Sequence, residues 1–197
     1  MERARYQITW DTPAGRLIAR EPYDDEIVRH APALMAAYND PHNAPLLGHT
    51  EAMTEAEVIE SYRALVADGG YSFMVFRDGA LVADGDLRHV DPERRAAELA
   101  FLVTAVSNQG QGLGTRFATM LHAFAFAELG LERVYASVIP DNVASRRVFA
   151  KLGHVVDDGA DARAYADEPS DVVSVVDRAR FAAAAGPALA AIAITRR

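Results

Sequence analysis

The stretch Glu98-Leu-Ala-Phe-Leu-Val-Thr104, the loop Asn108-Gln-Gly-Gln-Gly-Leu-Gly-Thr115 and the apolar segment that follows it to Gly130 decide the fold. A strand-like apolar run enters a loop with three glycines, and a segment with helical apolar spacing leaves it. A helix that begins directly after such a loop presents unpaired backbone N–H groups and the positive end of its dipole. The order strand, loop, helix therefore predicts a site for a phosphate or another anion.

The glycine spacing argues against two common phosphate loops. A P-loop ends in Gly-Lys-Ser/Thr, whereas this loop ends in Gly114-Thr115-Arg116 and has no lysine. A dinucleotide fingerprint needs a third glycine where this chain has Thr115. An enzyme that uses a nucleotide or a nicotinamide cofactor therefore stays only as an alternative.

The loop resembles instead the acetyl-CoA pyrophosphate loop of the GNAT superfamily of N-acetyltransferases, which has the form Gln/Arg-x-x-Gly-x-Gly/Ala. The matching positions are Gln109, Gly112 and Gly114. The likeness continues through Asn142-x-x-Ser145 and Lys151-Leu-Gly153, which look like the family's next helix. Within the superfamily, the chain is most similar to the branch of ribosomal-protein N-terminal acetyltransferases.

The resemblance covers roughly residues 16–180 and implies a function. Members of the family use acetyl-CoA as a cosubstrate and transfer the acetyl group to a primary amine directly, in a ternary complex. The amine here would belong to a peptide N-terminus, a lysine or a small molecule. The residues that would bind acetyl-CoA by this resemblance are Leu102, Val103, Thr104, Gln109, Gly110, Gln111, Gly112, Leu113, Gly114, Thr115, Asn142 and Ser145.

Length and pattern predict a single α/β domain. The 197 residues suffice for one hydrophobic core, and half of them are hydrophobic. Strand-like runs over 71–77, 80–90 and 96–104 predict an antiparallel meander, and the helix after the loop predicts a parallel crossover to the next strand. We expect a mixed, mostly antiparallel sheet of six or seven strands with helices on both faces.

The ends of the chain fall outside this domain. Residues 1–15 are expected to form a loosely tied N-terminal extension, and residues 16–180 the acetyltransferase domain. The uncharged run 181–194 is broken by Gly186-Pro187 and is too short to span a bilayer. Residues 181–197 are therefore expected to be a C-terminal extension that packs on the domain or on a partner subunit, which leaves a homodimer open.

Composition narrows the function further. A net charge of −8 disfavours nucleic acid as a partner and mildly favours cationic or neutral acceptors. The absence of cysteine excludes disulfides and thiolate chemistry. The histidines, at positions 30, 42, 49, 89, 122 and 154, have no metal-ligand spacing, so we expect no metal site. The N-terminus lacks the apolar core of a signal peptide, which favours a cytoplasmic protein without membrane contact.

Acetyl transfer from a thioester to an amine first requires a neutral amine, and therefore a base. An ε-amine with a pKa of about 10.4 costs roughly 4 to 5 kcal/mol to deprotonate at pH 7. By resemblance, Glu98 occupies a place where many relatives carry a catalytic glutamate. Asp84 and Asp86 share one face of the preceding strand, and chain reversal would bring Asp86 near Glu98, where two carboxylates can raise one pKa. The alternative for these carboxylates is a solvated or arginine-paired side chain.

Two requirements remain, stabilisation of the oxyanion and departure of the thiolate. By resemblance, backbone N–H groups of Leu102 to Thr104 hold the oxyanion where two parallel strands diverge. Where many relatives carry a tyrosine that protonates the thiolate, this chain has Phe149, and Ser145 is the alternative donor. Ser145 could instead bond the backbone of its helical turn, and Asn142 could serve only as a helix cap.

Phe149 also supports a rival interpretation, in which the chain is a non-catalytic acyl-CoA-binding regulatory module. The acceptor amine has no motif of its own. We expect its pocket to come from segments 38–53 and 157–170, and aminoglycosides, polyamines, peptide N-termini and lysines all remain open.

Overall fold

The structure is a computed structural model that describes residues 3–48 and 50–197. Within them, nine strands form one mixed sheet in the order β7-β8-β6-β5-β4-β3-β2-β1-β9. The strands are β1 (Tyr6–Thr12), β2 (Gly15–Arg20), β3 (Tyr71–Arg77), β4 (Ala80–Asp91), β5 (Ala96–Val103), β6 (Arg133–Val138), β7 (Val155–Val156), β8 (Val172–Asp177) and β9 (Ile192–Arg196). The helices are α1 (Asp24–Tyr38), α2 (Glu55–Ala67), α3 (Leu113–Ala127), α4 (Val143–Lys151), α5 (Ala160–Arg163) and α6 (Arg178–Ala185), with 3-10 helices at Ala44–Leu47, Val106–Asn108 and Gly186–Ala191.

Helices cover both faces of the sheet, which confirms the predicted fold class. On one face, Ile27 of α1 and Val58 of α2 pack with Met74 of β3. On the other face, Phe117 and Phe124 of α3 are fully buried in the main core. No helix in the described part of the chain combines the length and hydrophobicity needed to cross a membrane.

The meander of β3, β4 and β5 follows from turn chemistry and alternation. Asp78 and Gly79 join β3 to β4 with φ angles of 53° and 81°, the left-handed pair that a tight hairpin turn requires. In the antiparallel register of β4 with β5, three pairs of residues lie opposite each other: Asp84 and Leu102, Asp86 and Ala100, Arg88 and Glu98. Because these positions are two apart, their side chains share one face, and that face carries the charged residues.

Strands β5 and β6 are parallel neighbours joined through α3, as the sequence predicts. Their pairing comprises Ala96 with Arg133, Ala97 with Val134 and Glu98 with Tyr135. Both strands continue beyond Glu98 and Tyr135 without a further pair among the described residues. We call this opening the β5/β6 divergence. It leaves the backbone of β5 without a strand partner on this edge from about residue 99 to 103.

The sheet has nine strands, where we expected six or seven. Strand β1 lies in the segment expected to be a loosely tied extension, yet it pairs with β2 on one side and with β9 on the other. Ile8 is fully buried, whereas its neighbours Gln7 and Thr9 are only partly buried, so the alternating pattern of a strand is present but short. Its partner β9 comes from residues 192–196, and local periodicity does not reveal a partner so distant in sequence. The boundaries at residues 16 and 180 stay a prediction.

A pair of histidines is buried between α3 and the sheet. His122 donates from Nδ1 to the carbonyl of Ala118 at 2.7 Å, and its Nε2 lies 2.8 Å from Nε2 of His154. Nδ1 of His154 lies 3.2 Å from the Ser174 hydroxyl. Burial lowers the pKa of His122 to about 4, and burial together with His122 lowers the pKa of His154 well below its ordinary value. His49 lies outside the described residues.

This pair should make the protein sensitive to mild acid. In the folded state the pKa of His122 is lowered from 6.5 to about 4, so the unfolded chain binds more protons between those values and stability falls as pH falls through that window. From pH 7 to pH 5, His122 alone should lose about 2 kcal/mol. We expect His122→Leu to make the pH dependence of the unfolding free energy shallower by about this amount, as measured by urea denaturation at both pH values. A slope in His122→Leu equal to that of the wild type would contradict the assignment.

Candidate active site

A cleft of about 670 Å³ opens on the charged face of β4 and β5, between α1, α2 and α4. Its lining includes parts of both segments expected to form the acceptor pocket, together with residues of the central strands. One side of the cleft reaches the β5/β6 divergence, where Leu102 and Val138 line it. The charged side chains in its lining are Asp68, Asp84, Asp86, Arg88, His89, Asp167, Glu168 and Asp171.

Asp84 is a buried carboxylate in this lining. Its Oδ2 accepts hydrogen bonds from the hydroxyls of Tyr38 and Tyr62, the latter at 3.1 Å. Its Oδ1 is buried and has no partner among the described residues. Burial raises the pKa of Asp84 to about 7, against the two tyrosine hydrogen bonds that lower it. An unpartnered carboxylate oxygen of this kind invites a donor from a ligand.

Asp86 is paired with arginine, which is the alternative noted from the sequence. Arg88 donates from Nε to Oδ1 at 2.8 Å and from Nη2 to Oδ2 at 3.1 Å. Both carboxylate oxygens are thus engaged by one guanidinium. In the register of β4 with β5, Asp86 lies opposite Ala100 and so shares a face with Glu98. Its role as the base stays a prediction.

Glu98 has no solvent exposure and is not among the residues that line the cleft. Its Oε2 lies 3.1 Å from Nδ1 of His89, and its Oε1 has no partner in the described chain. Burial raises the pKa of Glu98, while the hydrogen bond to His89 and the charge of Arg88 lower it. His89, by contrast, lines the cleft, and 60% of its side chain is exposed.

The glycine loop has the geometry of an anion site. Gly110 and Gly112 have φ angles of 73° and 76°, which non-glycine residues rarely adopt, and α3 begins directly after Gly112. The first turn of α3 carries no acidic side chain. Arg116 donates to the carbonyl of Gln111 at 3.0 Å, so a guanidinium lies across the loop. Free N–H groups, a helix dipole and a cation together fit the pyrophosphate of CoA.

The side chain of Gln109 is hydrogen-bonded to the segment between α1 and α2. Its Nε2 donates to Oδ1 of Asn43 at 3.0 Å, and its Oε1 lies 3.1 Å from Nε2 of His42. Asn43 in turn donates to the carbonyl of Ala37 at 3.0 Å. The side chain of Gln109 therefore fastens the loop to the end of α1.

The backbone of Thr104 is already used by the sheet. Its N–H donates to the carbonyl of Val82 at 3.0 Å. Because successive amides of a strand point to opposite edges, the N–H of Val103 is directed toward the β5/β6 divergence. Of the three residues expected to supply oxyanion donors, Thr104 and, by the same alternation, Leu102 therefore direct their N–H groups to β4.

Asn142, which precedes α4, and Ser145 and Phe149 of α4 line the cleft. Asn142 caps the helix, since its Oδ1 accepts from the Ser145 N–H at 3.0 Å, and its Nδ2 donates to Leu46 at 3.2 Å. The Ser145 hydroxyl has no hydrogen-bond partner in the described part of the chain. Phe149 is almost fully buried and contacts Phe101 edge to face at 5.7 Å between centroids.

Four side chains at this site were not predicted from the sequence. Tyr38 and Tyr62 lie on helices whose apolar spacing accounts for them as core residues, and Arg88 follows Asp86 by two positions, so its pairing has a local signal. His89 has no such local signal, because a regular strand would direct its side chain to the face opposite Glu98.

No group of three metal-ligating side chains occurs among residues 3–48 and 50–197.

Solved structures with the same fold are acetyltransferases. RimJ from Mycobacterium smegmatis, in complex with a CoA-disulfide, aligns with a TM-score of 0.70 and 21% identity over 92% of this chain and 94% of that one. The aminoglycoside acetyltransferase AAC(6')-Ib, in complex with coenzyme A, aligns at 0.68 and 17% over 84% and 96%. Spermidine N-acetyltransferase from Vibrio cholerae, with CoA and spermine, aligns at 0.68 and 15% over 84% and 97%.

These identities are low, so the structural likeness establishes the fold and not the substrate. The comparison with curated protein sequences finds no significant match. The profile of the acetyltransferase (GNAT) domain matches residues 16–155, which is 140 of the 197 residues. The match includes the glycine loop, the cap of α4 and the strands that diverge beside the cleft, and by it the chain belongs to the GNAT superfamily of acetyltransferases.

Proposed function

We propose that this acetyltransferase modifies a primary amine on a small molecule or peptide that carries more than one positive charge. The observation that carries the proposal is the charge of the cleft, whose lining has six carboxylates against one guanidinium and one imidazole. Coulomb attraction in a partly desolvated cleft favours a polycation over a neutral or anionic acceptor. Two structural neighbours are named for spermidine and for aminoglycosides, which are polycations.

Asp84 is the group that we assign to the acceptor's ammonium. It is buried in the cleft lining, and its free Oδ1 can accept a charge-assisted hydrogen bond. Tyr38 and Tyr62 fix the other oxygen, so the carboxylate is oriented before a ligand arrives. Since the carboxylate ionises as pH rises through about 7, the attraction should strengthen across that range.

Acetyl-CoA is the cosubstrate, and it supplies an activated acyl group when bound. We assign its pyrophosphate to the backbone N–H groups from Gly110 to Thr115 and to the guanidinium of Arg116. The N–H of Val103 is assigned to the thioester oxygen, which becomes more negative during the reaction. Leu102 and Asn142 line the same side of the cleft, next to the β5/β6 divergence.

The role of the loop is tested by a bulky side chain at its centre. Gly112→Trp should weaken acetyl-CoA binding at least tenfold in calorimetric titration, because the indole would cover the N–H groups at the start of α3. Gly130→Trp is the matched control, since Gly130 also has a left-handed φ of 67° and follows the opposite end of α3. Equal loss of affinity in both variants would show a general effect on the fold and would refute the assignment.

We assign protonation of the departing thiolate to the hydroxyl of Ser145, which lines the cleft. A thiol with a pKa of about 8.5 leaves as thiolate at pH 7 at a cost of roughly 2 kcal/mol, which corresponds to about 30-fold in rate. Proton donation can recover at most this factor. Phe149, at the position of the family's tyrosine, contributes packing against Phe101 and no proton.

Ser145→Ala should lower kcat by up to about 30-fold at pH 7, and the loss should shrink toward pH 9 because the thiolate then leaves without a proton. Ser145→Thr keeps a hydroxyl and should retain most activity. Adding Phe149→Tyr to Ser145→Ala should restore turnover. Wild-type kcat in Ser145→Ala at every pH would rule out this role.

The acceptor class is tested by following CoA release with polyamines, aminoglycosides, basic peptides and simple monoamines. Polycations should give at least tenfold higher kcat/KM than monoamines, and salt should reduce the difference.

Asp84→Asn should raise KM for the polycation at least about tenfold at pH 8 with a smaller change in kcat, because a buried carboxylate loses its charge. Asp78→Asn, the same change in the β3–β4 turn, should leave KM unchanged.

Two other outcomes are informative. Equal activity toward neutral or anionic peptides would refute the polycation proposal. Tight acetyl-CoA binding with no turnover on any amine would favour the non-catalytic acyl-CoA-binding module instead.

A further inference from the structure

The side chain of His89 is turned onto the cleft face by an irregularity in β4. The register between β4 and β5 shifts between Arg88 and Asp91, and His89 has a left-handed φ of 49°. In a regular strand His89 would share the core face with Leu87, because side chains alternate. Bulges of this kind redirect side chains and are frequent next to active sites. A left-handed histidine is also strained, and such strain is concentrated at functional positions.

The redirected ring bridges a buried carboxylate and the cleft. Glu98 has no exposed surface and is absent from the cleft lining, so it has no direct path to an amine in the cleft. His89 lies in that lining, and its Nδ1 is 3.1 Å from Oε2 of Glu98. With the proton on Nδ1, the neutral ring donates to Glu98, and its Nε2 carries a lone pair.

We propose that His89 is the proton acceptor for the amine in acetyl transfer, and that Glu98 is a positioning residue that holds the ring and stabilises its protonated form. The inference rests on the proposed function. Nε2 of His89 takes one proton from the substrate ammonium, which leaves a neutral amine. The amine nitrogen then bonds to the acetyl carbon as the carbon–sulfur bond breaks; Ser145 gives its hydroxyl proton to the thiolate sulfur and takes the second proton of the amine in its place. His89 finally releases its proton to water.

The charges around the ring suit this role. The hydrogen bond to Glu98 raises the pKa of His89, burial and Arg88 lower it, and Asp167 raises it. Arg88 lies beside it on β4 and is bound to Asp86, while Asp167 comes from the segment between α5 and β8. A raised pKa makes the imidazole a stronger base toward the ammonium of the acceptor.

The direct test is removal and replacement of the imidazole. His89→Gly suits the left-handed backbone, so the variant should fold as well as the wild type, and acetyl-CoA binding should not change. Turnover of the best polycationic acceptor should fall about 100-fold or more. Added imidazole should restore at least a tenth of it, with saturation, and more basic methylimidazoles should restore more. Asp78→Gly, at another left-handed position outside the cleft, should keep wild-type turnover and show no response to imidazole.

The link between the two residues is measured separately. In an NMR titration, Glu98→Gln should lower the pKa of His89, and the acidic limb of the kcat/KM profile should move with it to lower pH. Turnover of His89→Gly within threefold of the wild type would overturn the inference, as would an acidic limb that stays in place while the histidine pKa moves. Wild-type protein with no turnover on any amine would instead refute the proposed function, and an unchanged histidine pKa in Glu98→Gln would still refute the coupling on its own.

Discussion

The β5/β6 divergence is the constraint on which the rest of the structure depends. Two parallel strands that separate beyond Glu98 leave a polar edge inside the protein, and such an edge must bind water or a ligand. Helix α3 joins the two strands and is buried at Leu113 and from Phe117 to Phe126. The same helix begins at the glycine loop, so the open edge and the anion site are held at a constant distance. The cleft is the space that remains beside them.

Burying carboxylates beside this opening costs free energy. Asp84 and Glu98 are both buried, and each has an oxygen without a partner in the described chain. The structure offsets the cost through groups that engage the other oxygens: two tyrosines at Asp84 and one histidine at Glu98. Burial raises the pKa of both carboxylates, so the folded protein resists their ionisation. Under the proposed function, the ammonium of the acceptor beside Asp84 would favour the ionised form of this carboxylate.

Sequence patterns predicted the meander, the crossover helix and the loop, because each depends on local residue types. Gly112 and Gly114 identify the loop. The burial of Phe117 and Phe124 follows from the helical spacing of apolar residues. The pairing of Asp86 with Arg88 was one of two open alternatives, and only side-chain geometry could decide between them. His89 lay beyond prediction, since its direction depends on a register shift in β4 that no residue type signals. The contact between His122 and His154 could not be predicted either, because the two histidines lie in different parts of the chain.

The pairing of β1 with β9 has a consequence for how the chain folds. Tyr6 lies opposite Arg196, so this ladder closes a loop of 190 residues, whereas the β3–β4 hairpin closes within a few. Loop closure of this length slows the search for contacts more than it weakens them. We expect the central meander and α3 to assemble early and the outer pair to join last. Strands β4 and β5, which carry the charged face of the cleft, would then be paired before the outer edge of the sheet is completed.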